Sequence, residues 1–392
     1  MDIKRKIQLK LIKGRSAFLF GPRKTGKTTY LKKHFPKSIF YDLLKTDLYL
    51  DLIKQPSILR EEVLSLSKEQ TKYPIIIDEI QKIPMLLDEV HWLIENTNAY
   101  FILCGSSARK LKKTSANMLG GRALRFEFFP LVYPELPEFD LIKIFKHGLL
   151  PEHYQEKNPK RILKAYLQTY LKEEIKDEGL VRNLPAFANF LDSLAFSNTE
   201  LTNYSNIARD CGVDSKTVKE YYQILIDTLI GSYVYPYSPK QGRDSISSSP
   251  KFYLFDVGLA NHIAHFDITQ LKGKDAGKAL ENYIFMELQA YRSLNELDFD
   301  IRFWRTKSDL EVDFVITNLN KPKFAIEVKI SSNIDKTDLR SLRAFKEENP
   351  NTEAIVVCNC ARARKLQFDN DIEINLVPVE GFLKKLWSGG YF

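Results

Sequence analysis

The sequence predicts an α/β chain whose first third is a parallel sheet with helices on both faces. Three observations predict it. Short apolar runs of strand length recur at Ser16–Phe20, Pro74–Asp78, Tyr100–Cys104 and Leu124–Phe129. Helix-like segments lie between them, for example Lys27–His34 and Leu86–Asn96. A glycine turn joins the first run directly to the first helix. Unbroken apolar runs suit strands covered on both faces, and their alternation with helices suits parallel crossovers.

Length and composition bound the rest. At ~150 residues per domain, the 392 residues make two or three domains. A content of 44% hydrophobic and 28% charged residues excludes a disordered chain, a collagen and a coiled-coil rod. No stretch approaches the ~18 apolar residues of a membrane span, so no membrane partner is expected. The basic N-terminus, MDIKRKIQLKLIKGR, lacks the apolar core of a signal peptide. The net charge of +8 suits an anionic partner such as nucleic acid without requiring one. The four cysteines have no C-x-x-C spacing, so a reducing, cytoplasmic setting is expected. Domains are expected over 1–135, 136–250 and 251–392. Ser238–Pro250, polar and rich in serine, reads as a loop or linker.

The first element after strand Ser16–Phe20 is Gly21-Pro22-Arg23-Lys24-Thr25-Gly26-Lys27-Thr28, which fits G-x-x-x-x-G-K-[ST] at every fixed position. Glycines let the backbone wrap a phosphate chain, and amide N–H groups at a helix N-terminus supply positive potential. Lys27 adds a full charge, Thr28 offers a hydroxyl to Mg²⁺, and Thr29 closes the phosphate-binding set. The next apolar strand ends in Asp78-Glu79. Asp78 would join the Mg²⁺ shell, and Glu79 would orient or deprotonate an attacking water. Tyr100–Cys104 runs into Gly105-Ser106-Ser107, which puts Ser106 in place to sense a γ-phosphate. Arg122, after Gly120-Gly121, is a candidate arginine finger in its own or a neighbouring subunit. A homo-oligomer is therefore one expected assembly.

The middle region reads as helices at Arg161–Ile175 and Ala186–Phe196. Tyr204–Cys211, a Gly-Val-Asp turn and Ser215–Leu229 then form a helix-turn-helix, with Asp214 or Ser215 as N-cap. Lys216, Thr217, Lys219 and Glu220 are expected on the exposed side of its second helix. Tyr233–Tyr237 and Lys251–Phe255 could form a wing, which would direct that helix to a DNA groove. Packing or lid duty within an ATPase is the rival reading, and Glu220 disfavours DNA.

The last region returns to α/β, with a helix at Ala276–Tyr291 and strands at Ile301–Trp304, Leu310–Ile316, Phe324–Ile330 and Glu353–Cys358. Glu281 lies on the helix, Asp313 on a strand, and Glu327-Val328-Lys329 on the next strand after a turn at Asn318–Lys323. Strand alternation puts Glu327 and Lys329 on one face. The pattern resembles the PD-(D/E)xK nucleases. That resemblance implies Asp313 and Glu327 as Mg²⁺ ligands, Glu281 as an outer ligand, and Lys329 as the residue that positions water or neutralises the transition state. The proline usual before the first acid is absent; Val312 stands there.

Taken together, GPRKTGKTT, IIIDEIQKIP, LCGSSARKL and GGRALRFEFFPL, followed by KFYLFDVGLA and LENYIFMEL, resemble a family of prokaryotic AAA-type P-loop ATPases. That branch is close to archaeal ATPases and STAND-type switches. The resemblance implies a P-loop NTPase sheet, a helical winged-helix region and a C-terminal α/β restriction-endonuclease-like domain. It further implies ATP and Mg²⁺ as cofactors. The expected function is ATP hydrolysis coupled to nucleic-acid binding, with metal-dependent cleavage open. The alternative is an ATP-gated switch or scaffold whose C-terminal domain binds a protein partner and cuts nothing.

Overall fold

The computed structural model describes residues 3–12, 14–107, 119–171, 181, 183–238, 249–368 and 372–392. Most of the polar loop expected over Ser238–Pro250 lies outside them. The chain divides into two compact units: Lys4–Pro130 with Asp227–Ile230, and Leu131–Ile226 with Gly231–Phe392.

The first unit is built on a five-stranded sheet. Its strands are β1 (Ser16–Phe20), β2 (Phe40–Asp42), β3 (Ile75–Asp78), β4 (Phe101–Gly105) and β5 (Ala123–Glu127), in the order β2-β3-β4-β1-β5. Every pairing is parallel. β1, β3 and β4 are buried along their whole length, as their continuous apolar runs require. Phe18, Phe20, Ile75, Ile77, Phe101 and Leu103 meet Leu86, Val90 and Leu93 of helix Leu86–Asn96 in one core. The insertion of β4 between β1 and β3 has a consequence for chemistry. It brings the ends of three central strands side by side at the carboxyl edge of the sheet, where open α/β sheets bind ligands. The strand β2 and the helices Thr46–Lys54 and Ser57–Leu64 carry no strong apolar run and add to the sequence reading.

The second unit contains an eight-stranded mixed sheet. Its members are β6 (Gly231–Pro236), β7 (Lys251–Leu254), β8 (Asp300–Arg305), β9 (Glu311–Asn318), β10 (Lys321–Lys329), β11 (Glu353–Cys358), β12 (Arg364–Gln367) and β13 (Glu373–Pro378). Their order is β12-β13-β11-β10-β9-β8-β6-β7. β8, β9 and β10 form an antiparallel meander, and β11 runs parallel to β10. The turn between β9 and β10 uses Leu319 and Asn320, both at positive φ, as a tight hairpin demands. On β10, Phe324, Ile326 and Val328 pack with Leu280, Ile284 and Leu288 of helix Gly273–Leu294. Ala325 packs on the opposite face with Leu342 and Phe345 of helix Arg340–Glu348. The predicted alternation of this strand is therefore observed.

The helix-turn-helix elements form at Tyr204–Cys211 and Ser215–Asp227, joined through Gly212 in the left-handed region. The cap is Asp214, whose Oδ1 accepts the Thr217 N–H at 2.7 Å. The strands expected as a wing differ from a free hairpin. β6 and β7 pair antiparallel, but β6 also runs parallel to β8 through Tyr235 and Pro236. Segment 199–202 bonds the other side of β7, with Thr199 N–H donating to the Phe252 carbonyl and Thr202 N–H to that of Pro250. All four residues of β7 are buried, so the pair is packed into the sheet and is not an exposed wing. The expected helix Arg161–Ile175 is α-helical over Pro159–Ala165 and π-helical over Tyr166–Leu171, and its end lies outside the described residues.

The two motifs of this unit owe their polar residues to burial. Asp256 of KFYLFDVGLA is fully buried, caps helix Val257–Ile263 through the Leu259 N–H, and also accepts the Leu149 N–H at 2.6 Å. Glu287 of LENYIFMEL is 1% exposed and accepts the Tyr133 N–H at 2.9 Å and the Trp387 indole N–H at 2.7 Å. Burial pushes its pKa from 4.5 up to about 8. The folded state therefore holds this proton more tightly than the unfolded chain does. The stability contributed is fully present below about pH 4.5 and is lost as pH rises through 8, at about 1.4 kcal/mol per pH unit in between. Chemical denaturation of Glu287→Gln between pH 5 and 8 should show a flatter pH dependence than the wild type.

Candidate functional site

The nucleotide-type site lies within the first unit. After β1 the chain turns through Lys24 and Gly26, both at positive φ, and enters helix α1 (Lys27–His34). Gly26 is the N-cap at φ 96°, a conformation strained for any side chain. The loop is cross-braced from within: Thr25 Oγ1 donates to the Pro22 carbonyl at 2.8 Å. Arg5 holds it from outside, donating to the carbonyls of Thr25 and Phe129 and lying 4.5 Å over the Phe128 ring. The Lys27 ammonium, 5% exposed, donates to the carbonyls of Gly21 at 2.6 Å and Pro22 at 2.9 Å. A phosphate entering the loop would take that charge over from two neutral carbonyls.

The carboxylates stand opposite. Thr28 Oγ1 donates to Asp78 Oδ2 at 2.6 Å, so the two groups expected on Mg²⁺ are already side by side. Their hydroxyl and carboxylate oxygens are the hard donors Mg²⁺ takes alongside phosphates and water, so the residues fit the ion. Glu79 sits in the left-handed region at φ 59° and is 9% exposed. Burial raises its pKa against the lowering pull of Lys27 and Arg23. That direction suits a group that must take a proton near neutral pH. Ser106, at the end of β4, is buried and bonded to Gln81, whose amide also reaches Glu79. Arg122 behaves differently: its guanidinium is paired with Glu95 at 2.5 Å and its side chain is 44% exposed. Arg5 and Gln81 escaped the sequence reading. Gln81 follows the acid pair by two residues, and nothing in one-dimensional spacing shows that its amide turns back.

The C-terminal acids lie in the second unit. Asp313 Oδ2 accepts the Val328 N–H at 2.8 Å, and Glu327 pairs with Lys329 at 2.7 Å. Lys251 of β7 enters the cluster, its side chain only 3% exposed. Its ammonium is 2.5 Å from Glu311, 3.1 Å from Glu281 and 3.9 Å from Asp313. Tyr253 Oη adds a 2.6 Å hydrogen bond to Glu281. Burial opposes the charge of Lys251, but Glu281, Asp313 and Glu311 overcome it and hold its pKa above the ordinary value. Burial pushes Glu281 and Glu327 up to about 7 each. Glu327 Oε2 is buried with no hydrogen-bond partner among the described residues. No group of three or more His, Cys, Asp or Glu among them is disposed to hold a metal ion. Glu311 shares the LEVDFVI strand with Asp313 at a spacing of two, a signal that places both on one face.

Three family models match the chain. An AAA domain covers residues 13–136, and two domains of unknown function, DUF8612 and DUF4143, cover 138–270 and 276–380. Uncharacterized protein MJ1544 of Methanocaldococcus jannaschii is 24% identical over 99% of this chain and 91% of its own length. Uncharacterized protein MJ1637 of the same organism is 29% identical over 59% of this chain and 50% of its own. Among solved structures, the Walker-type ATPase PABY2304 of Pyrococcus abyssi aligns over 63% of this chain and 90% of its own, at 14% identity and a TM-score of 0.41. The AAA-domain match supports an AAA-type P-loop ATPase in the first unit. No helix among the described residues is long and apolar enough to cross a membrane.

Proposed function

We propose that the protein hydrolyses ATP with Mg²⁺ in its first unit and couples that hydrolysis to nucleic-acid binding by its second. One observation carries the ATPase reading: the 2.6 Å bond from Thr28 to Asp78, with the buried Glu79 next in sequence and Lys27 in the loop opposite. Lys27 and the N–H groups at the start of α1 bind and orient the phosphates. Mg²⁺, held through Thr28 and Asp78, would neutralise charge on the phosphates. Glu79 takes the proton of the attacking water. Binding without hydrolysis would need no buried acid at this position.

The nucleic-acid part is supported by the helix Ser215–Asp227, capped by Asp214 after the Gly212 turn, on which Lys216 and Lys219 are exposed. DNA should stimulate ATP turnover, and its affinity should fall with salt. Lys216→Ala/Lys219→Ala should weaken binding and reduce the slope of log K against log salt by about 1–2, as loss of one or two phosphate contacts does. A fluorescence-anisotropy titration from 50 to 200 mM salt measures it (~10³-fold changes are typical for six contacts). Unaltered affinity and slope would remove this helix from the interface.

A second reading is favoured by Lys251, which already neutralises part of the acid cluster. On it the protein is an ATP-gated switch, and the C-terminal sheet binds a protein partner without cutting. Incubation of DNA with Mg²⁺ or Mn²⁺ separates the cases. Cleavage lost in Asp313→Ala and Lys329→Ala assigns a nuclease site to Asp313, Glu327 and Lys329. Bound but uncut DNA makes the unit a binding module, and no DNA binding at all favours the switch.

A further inference from the structure

We propose that Gln81 is a positioning residue for ATP hydrolysis, tying Glu79 to Ser106 and presenting a carbonyl oxygen to the attacking water. The inference rests on the ATPase reading above and deepens it.

Gln81 is 4% exposed, although glutamine is usually a surface residue. Its Nε2 donates to Glu79 Oε2 at 2.5 Å and to Ser106 Oγ at 3.0 Å. A carboxylate can only accept, so the amide nitrogen, not the oxygen, must face Glu79. Both amide protons are thereby spent on the two groups that flank a γ-phosphate position. That leaves Oε1, which is buried and has no hydrogen-bond partner among the described residues. An orphaned acceptor costs about 1–3 kcal/mol, so a fold that keeps one beside a general base has a donor to receive. Water is the donor this site must admit. Room for the oxygen is made at Gly105, the last residue of β4, where a Cβ would collide with Gln81 Oε1.

The chemistry follows from these contacts. The water oxygen forms a bond to the γ-phosphorus while the bond from that phosphorus to the bridging oxygen of ADP breaks. The electron pair leaves with ADP, and the water proton passes to Glu79. Gln81 takes no proton. Its amide fixes the lone pair of Glu79 that receives the proton, and its carbonyl accepts the second hydrogen of the same water, which orients the oxygen toward phosphorus. Ser106 is held in the same frame, so contact with the γ-phosphate and placement of the base are coupled through one side chain.

The test uses the full chain and reads ATP binding and turnover separately. Gln81→Met fills the space without an amide, and Gln81→Ala removes it. Both should lower kcat by about 10–100-fold, with the dissociation constant for ATP and the thermal midpoint close to wild type. Gly105→Ala leaves Gln81 in the sequence but displaces its amide, and should reach the same loss. The double variant Gly105→Ala/Gln81→Met should be no slower than Gln81→Met alone, because both remove one contact. Wild-type kcat in Gln81→Met, or losses that multiply in the double variant, would overturn the role of Gln81. If the Gln81 variants fail to fold, Gly105→Ala alone decides: ATP bound normally and turned over at wild-type rate overturns it. A wild-type chain that binds ATP and never hydrolyses it would instead overturn the ATPase reading beneath.

Discussion

Glu79→Gln should bind Mg-ATP as tightly as the wild type and hydrolyse it about 10²–10⁴-fold more slowly, the range a positioned general base contributes. The substitution keeps the size of the side chain and its ability to accept from Gln81, so the left-handed backbone at φ 59° has no new reason to relax. What disappears is the group that can take a proton. Single-turnover hydrolysis and nucleotide titration on one preparation separate the two effects. A loss of affinity with an unchanged rate would move Glu79 from proton transfer to phosphate binding. The neighbouring Asp78→Asn should differ, because Asp78 accepts from the Thr28 hydroxyl and on the proposed reading would hold the ion, so its loss should show in Mg²⁺ dependence.

Lys251→Met should destabilise the second unit by about 3–5 kcal/mol, the cost of stripping one partner from a buried ion cluster. The lysine ammonium is the common partner of Glu281, Glu311 and Asp313; Glu311 also pairs with Arg305 at 2.8 Å, and the charge of Lys329 acts on Asp313 from further away. Removal leaves buried carboxylates to repel one another, and the charges then cost more than the apolar replacement returns. Lys251→Met/Glu281→Gln should recover part of the loss, since each change removes one member of the same pair. Urea unfolding of the two variants and the wild type measures it. A single variant within about 0.5 kcal/mol of wild type would mean that water, not the lysine, screens these acids.

Much of the first unit was legible because its chemistry and its fold coincide in short stretches. Strands β1, β3 and β4 are apolar throughout, and each ends at a residue type that phosphate chemistry needs. The helix α1 was placed correctly because a glycine turn and the loop motif agree on where it starts. The edge strand β2 was not legible: three residues, Phe40–Asp42, gain strand geometry only from pairing with β3. β12 was missed for the same reason, since Arg364–Gln367 is polar and mostly exposed and exists as a strand through its antiparallel partner β13.

The C-terminal acids show where one dimension runs out. Glu281, Asp313, Glu327 and Lys329 were visible as residue types in order. Lys251, 30 residues before Glu281, was visible only as the start of KFYLFDVGLA and of an expected wing strand, not as a partner of the acids. Its placement among the acids depends on β7 lying at the sheet edge next to helix Gly273–Leu294, a tertiary fact. The wing expectation failed similarly. Two strands after a helix-turn-helix suggest an exposed hairpin, whereas Lys251, Phe252, Tyr253 and Leu254 are all buried in this one. Gln81 was hidden by the opposite problem: it stood in plain view beside the acid pair, and only the burial of its amide separates it from a surface glutamine.

Phosphate release from Mg-ATP by the wild type and by Lys27→Ala tests the central claim most directly. The Lys27 ammonium is a full positive charge seated on the carbonyls of Gly21 and Pro22, and its removal should reduce turnover by at least about 10²-fold, as loss of a preorganised charge at a reacting phosphate does. Wild-type turnover that collapses in Lys27→Ala is the predicted result. Equal turnover in the two proteins, or none in the wild type with nucleotide bound, would contradict it.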